Sequence, residues 1–100
     1  MYILTEHDSG KLLQLGVGEV FFLALEDNDS IGYRWRIDPS PLLEITLEDS
    51  IKGADVVGAP GLKLFRFMAK KTGENELLIK DQALTGSPGQ KQLHFRIHVD

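Results

Sequence analysis

An all-β sandwich of about seven strands is the fold this sequence predicts, and three observations predict it. Short runs rich in apolar residues occupy 11–16, 19–26, 33–38, 43–48, 62–70, 76–81 and 92–99. Clusters of Gly, Asp, Asn, Ser and Pro separate them. Within several runs apolar and polar residues alternate, which is the period of a strand with one buried face. Seven strands is the minimal immunoglobulin-like count, so the expectation is an immunoglobulin-like β-sandwich.

The strands, lettered A to G in chain order, carry unequal signals. Strand A, 11–16, is a short apolar run ending at Gly16, and Gly16-Val17-Gly18 reads as the turn into strand B. Strand B, 19–26, lacks simple alternation: Phe21, Leu23 and Leu25 form one face, Val20, Phe22 and Ala24 the other. Either a central strand covered on its second side or a self-association face produces that pattern. In strand C, 33–38, Tyr33, Trp35 and Ile37 oppose Arg34, Arg36 and Asp38. Trp35 suits the buried core tryptophan of immunoglobulin-like sandwiches better than a binding hot spot. Strand D is 43–48. Strand E, 62–70, sets Phe65, Phe67 and Ala69 against Leu64, Arg66 and Met68. Strand F is 76–81. Strand G, 92–99, is the cleanest, with Leu93, Phe95, Ile97 and Val99 opposing Gln92, His94, Arg96 and His98.

Composition bounds the function. One hundred residues form a single domain, 1–100, with one core. The 42% hydrophobic and 26% charged content is that of a folded globular chain. With no cysteine, disulfides, thiolate metal sites and a cysteine nucleophile are excluded together. The net charge of −4 and the lack of a Lys/Arg cluster along the sequence speak against nucleic acid. The longest apolar run, Val20 to Leu25, is far below the roughly 20 residues that cross a bilayer, so no membrane partner is expected. The first residues lack a signal-peptide pattern. The expected location is therefore cytoplasmic, or periplasmic or secreted if a signal segment has been removed.

Three long connections remain: Glu26 to Gly32, Asp49 to Gly61 and Asp81 to Lys91. They join B to C, D to E and F to G, and antiparallel topology places all three at one end. Connections longer than a sandwich needs are a usual seat of function.

These connections carry a resemblance. The order GKLLQLGVGEVFFLAL, NDSIGYRW, GAPGLKLFRFMAKKTG and a final FRIHV strand resembles the chagasin family of cysteine-peptidase inhibitors over most of the chain. That family's first loop reads Asn-Pro-Thr-Thr-Gly-Tyr/Phe with a Trp two residues on. Asn28, Gly32, Tyr33 and Trp35 match in place, while Asp29 stands for Pro and Ser30 and Ile31 for the Thr pair. Gly58, Ala59, Pro60 and Gly61 resemble the Gly-x-Gly-Gly signature with one Gly replaced by Pro. The third signature, Arg-Pro-Trp, falls near Gln82, Ala83, Leu84 and Thr85, where no Arg, Pro or Trp stands. The resemblance implies a tripartite wedge that enters the cleft of a papain-like cysteine protease, with no cofactor and as a monomer. The alternative is a non-inhibitory protein-binding module on the same scaffold, which the missing Arg-Pro-Trp motivates.

Physical reasons support particular residues. Gly32 permits φ > 0 and close backbone approach, although a tight turn alone also demands it. Asn28, Asp29 and Ser30 can bond their own backbone and so pre-order the segment, as in any Asx-rich turn. Ile31 is an apolar side chain in a polar segment, available to a partner's pocket or to the domain's own core. Tyr33 can pack its ring and expose its hydroxyl. Pro60 stiffens a turn of small residues, and Leu84 is the sizeable apolar residue of the third connection.

Catalytic readings fail on geometry. His7, Asp8 and Ser9 are consecutive, and neighbours on an extended chain diverge rather than form a triad. His94 and His98 share a strand face but stand roughly 13 Å apart at about 3.3 Å per residue, too far to ligate one ion.

Overall fold

The computed structural model describes residues 2–27, 33–38, 40–51, 61–83 and 88–100. Eight strands run in chain order: β1 (Tyr2–Leu4), β2 (Leu12–Leu15), β3 (Val20–Asp27), β4 (Tyr33–Ile37), β5 (Leu43–Ile51), β6 (Gly61–Ala69), β7 (Gly73–Ala83) and β8 (Pro88–Val99). A short 3-10 helix, Glu6–Asp8, lies between β1 and β2. The strands form two four-stranded sheets, β1-β3-β6-β5 and β2-β8-β7-β4. All seven expected strands are present and one more precedes them.

Alternation decides which residues meet between the sheets. Phe21, Leu23 and Leu25 of β3, Phe65, Phe67 and Ala69 of β6, Leu77 and Ile79 of β7, and Leu93, Phe95, Ile97 and Val99 of β8 are all buried. Phe21 stacks on its cross-strand partner Phe67 with ring centroids 4.9 Å apart and planes 13° from parallel. Full burial of one such side chain stabilises by roughly 1.5–3 kcal/mol, and the ring pair adds about 0.5–1.5 kcal/mol. Leu13 and Leu15 of β2 close one side of this core.

Four differences from the sequence reading have physical causes. First, β1 pairs in parallel with β3, and β2 in parallel with β8, so the two edges depart from the antiparallel pattern of the remaining pairs. At three residues, β1 is too short to show a period. Second, β5 continues to Ile51 and β7 and β8 reach Ala83 and Pro88, so the connections are shorter than expected. Backbone pairing carries those ends onward: Ile51 is opposite Leu62, and Gln82 is opposite Pro88 past a register shift. At the β5 end the side chains of Asp49, Ser50 and Ile51 stay outside the core, and so composition gives no alternation there. Third, β3 lies inside its sheet, but among the described residues no further layer covers its second face. Val20, Phe22 and Ala24 are half-buried by neighbours such as Leu64 and Met68, while Ile3, Leu47, Ile51 and Leu62 on the same outward face are exposed. Fourth, His7 and Asp8 lie in the 3-10 turn, with Ser9 capping its end, rather than on an extended chain. Their side chains still diverge: Asp8 accepts from the Thr5 amide at 2.8 Å and pairs with Lys11, while Ser9 Oγ accepts from the His94 amide at 3.1 Å.

The Gly16-Val17-Gly18-Glu19 turn forms as expected. Glu19 N donates to Gly16 O at 3.0 Å, and Gly18 at φ +89° takes the third position, where a type II turn requires a positive φ.

Candidate functional site

Register locates the site. In the first sheet Asp27, the last residue of β3, is opposite Gly61, the first of β6, and Ile51 at the end of β5 is opposite Leu62. In the second sheet Tyr33, which opens β4, is opposite Ala83 at the end of β7, and Pro88 is opposite Gln82. The stems of connections 28–32, 52–60 and 84–87 therefore lie at one end of the sandwich. With strands about 4.8 Å apart and sheets about 10 Å apart, these stems fit within a patch roughly 15–20 Å across. The turns at 16–19 and 70–72 lie at the other end.

One hydrogen bond ties the two sheets together beneath this patch. Trp35 Nε1 donates to Glu26 O at 2.7 Å, joining the residue before the first connection's stem to the strand on its far side. Trp35 is half-buried and packs against the core with Ile37. It packs on the margin of the core rather than buried within it, so its expected core role is met in part, with a polar clamp added. A second set of contacts closes the neighbouring edge. Glu6 accepts from the Glu26 amide at 3.4 Å and pairs with Lys91 at 3.5 Å, and Lys91 N donates to Asp81 Oδ1 at 2.9 Å.

Of the residues expected to bind, Gly61 and Gln82 sit at the strand ends just described, as do the backbones of Tyr33 and Ala83. Asn28, Asp29, Ser30, Ile31 and Gly32, then Gly58, Ala59 and Pro60, and Leu84 and Thr85 lie outside the described residues. What the sequence reading missed is a cationic strip. Arg34 is opposite Gln82, and Arg36 is opposite Lys80, on the outward face of β4 and β7 beside the same end. The YRWRI alternation already put the two arginines on one face; only the register adds Lys80.

At the opposite end His98 lies between two carboxylates, with Nε2 2.7 Å from Asp100 and Nδ1 3.0 Å from Glu74. Asp100 first, and then Glu74, raise its pKa above the ordinary histidine value by bonding the protonated ring.

The matching family model is the chagasin family peptidase inhibitor I42, over residues 14–99. This chain belongs to the chagasin family of peptidase inhibitors. It is a family of inhibitors, and the chain is no enzyme. Three solved structures share the fold. The cysteine protease inhibitor EhICP2 from Entamoeba histolytica superposes with a TM-score of 0.87 at 19% identity, covering 99% of this chain and 95% of its own. Amebosin gives 0.78 at 21%, covering 99% and 97%. PbICP-C, solved in complex with falcipain-2, gives 0.72 at 16% and covers 100% of each chain. No curated protein matches the sequence significantly.

Proposed function

We propose that this protein is a reversible, non-covalent inhibitor of papain-like cysteine peptidases that lodges the end bearing connections 28–32, 52–60 and 84–87 in the active-site cleft. The topology carries the reading: three connections drawn from both sheets issue side by side from one end of a chagasin-family sandwich. Among proteins of similar fold, EhICP2 is a cysteine protease inhibitor and PbICP-C forms a complex with falcipain-2.

No side chain does chemistry. The first connection, with Gly32 permitting close approach, covers the catalytic thiol, and the other two brace it against the cleft walls. Because 82–85 holds no Arg-Pro-Trp, the first connection bears more of the binding. A rigid base serves this role, since a pre-ordered segment loses less entropy on binding. A specific complex of this kind buries on the order of 1,600 Å².

Titration of papain and a lysosomal cathepsin with the purified protein tests the reading. Competitive, fully reversible inhibition with a one-to-one end point is expected. Undiminished peptidase activity at high micromolar protein would refute it for those enzymes.

A further inference from the structure

The outward face of the β2-β8-β7-β4 sheet passes from paired, mixed charge to positive charge along its length. Away from the three connections it carries Glu74 opposite His98 and Glu76 opposite Arg96. Toward them it carries Arg34 beside Gln82 and Arg36 beside Lys80. Among the described residues the charges at this end are weakly compensated. Lys80 lies 3.7 Å from Asp38, with both side chains nearly half in water, and such pairs contribute little. Arg36 Nη1 donates to Gln82 Oε1 at 3.3 Å, a neutral acceptor that leaves its charge uncancelled. Arg34 is exposed and forms no ion pair with any described residue. Three cations together run against the sign of a chain whose net charge is −4.

Their place matters as much as their sign. Arg34 is the second residue of β4, directly after connection 28–32. A wedge inserted to the depth of its connections brings the first outward positions of its flanking strands level with the cleft rim. A guanidinium on that flank then faces the partner's surface within a Debye length, about 10 Å at 0.1 M salt.

We infer that Arg34, Arg36 and Lys80 form a cationic flank of the peptidase-binding end. It fits a carboxylate-rich strip beside the cleft of the target enzyme and selects acidic papain-like peptidases over basic ones. This rests on the inhibitor reading of the same end and adds a partner chemistry to it. Charges at an interface rim act chiefly on association, by steering encounter and rejecting like-charged partners.

The test is stopped-flow association of the Arg34→Glu/Arg36→Glu variant with two papain-like peptidases inhibited by the unaltered protein, one of net negative and one of net positive sequence charge. With the acidic enzyme the association rate constant should fall about tenfold at roughly 20 mM salt and by less than about twofold at roughly 500 mM, while dissociation changes little. With the basic enzyme it should hold or rise. Lys70→Glu/Lys71→Glu, the same charge change in the turn at the opposite end, should alter association by less than about twofold. Arg34→Gln/Arg36→Gln should give an intermediate effect and supplies the measurement if charge reversal disturbs folding. Unchanged association with the acidic enzyme, or equal slowing with both enzymes at every salt concentration, would overturn the flank and leave the inhibitor reading standing. If the unaltered protein inhibits no papain-like peptidase, the underlying reading falls and the flank falls with it.

Discussion

Replacing Trp35 by Phe tests whether the base of the binding end is pre-ordered. Phe keeps an aromatic ring against the core but removes the Nε1–H that donates to Glu26 O at 2.7 Å. An intramolecular hydrogen bond contributes about 1 kcal/mol net, and the smaller ring forfeits some further packing. The expected stability loss is about 1–2 kcal/mol, which lowers the melting temperature by roughly 5–15 °C in a domain this size. Binding should also suffer, because the bond joins the two stems of connection 28–32. If about 1 kcal/mol of extra ordering falls on the complex, the inhibition constant rises about fivefold. The increase should appear in dissociation, since encounter does not depend on the clamp. Urea unfolding and progress-curve inhibition kinetics read both quantities. A variant that loses stability but dissociates from the peptidase at the original rate would show that the clamp holds the sandwich and does nothing for the binding end.

Phe67→Ala should be the most damaging of the remaining changes, because it empties a fully buried site and ends the stack on Phe21; a loss of about 3–5 kcal/mol is expected in urea unfolding, and less than about 1 kcal/mol would contradict the packing described. His98 gives stability a pH dependence. Its pKa is raised in the folded state by Asp100 and Glu74, so its stabilisation is fully present below the unfolded value of 6.5 and is lost as pH rises through the raised folded value. The urea midpoint should therefore decline across that window, and His98→Gln should flatten the decline. Asp8 acts in the opposite sense: Lys11 and the Thr5 amide lower its pKa, so its contribution holds above about 3.8 and disappears as pH falls through the lowered folded value, a loss absent from Asp8→Asn. Gly73→Ala should destabilise, since φ is +143° and the new methyl would stand 3.1 Å from Leu42 Cδ2; a melting temperature unchanged within about 2 °C would refute this.

Strands with one buried face were legible because water sorts their residues. Leu93, Phe95, Ile97 and Val99 could be assigned inward from alternation alone, as could Phe65, Phe67 and Ala69. Strand ends beyond the core were not, because Ser50 to Ile51 and Gln82 to Ala83 are held by backbone bonds that any side chain permits. The outward face of β3 left two readings open in sequence for a related reason, and only the covering layer is ruled out among the described residues. Half-burial by neighbours in the same sheet leaves Phe22 and Ala24 looking, in sequence, like residues with a layer over them. The three connections were visible as polar, turn-rich interruptions, and antiparallel pairing of the strands around them brings their stems to one end. The cationic flank was half visible. Arg34 and Arg36 share a face by their spacing, but Lys80 is far from them in sequence, and only strand register sets it opposite Arg36.

The proposed inhibition requires one end of the sandwich to meet the peptidase, and hydrogen–deuterium exchange of the complex tests this most directly. A papain-like peptidase with its catalytic thiol alkylated would be mixed with the protein and exchange compared with that of the free chain. Slowed exchange is expected within 28–32, 52–60 and 84–87 and at the adjoining strand ends, with the turns at 16–19 and 70–72 unchanged. Protection confined to those turns, or to the outward face around Phe22 and Leu62, would contradict it.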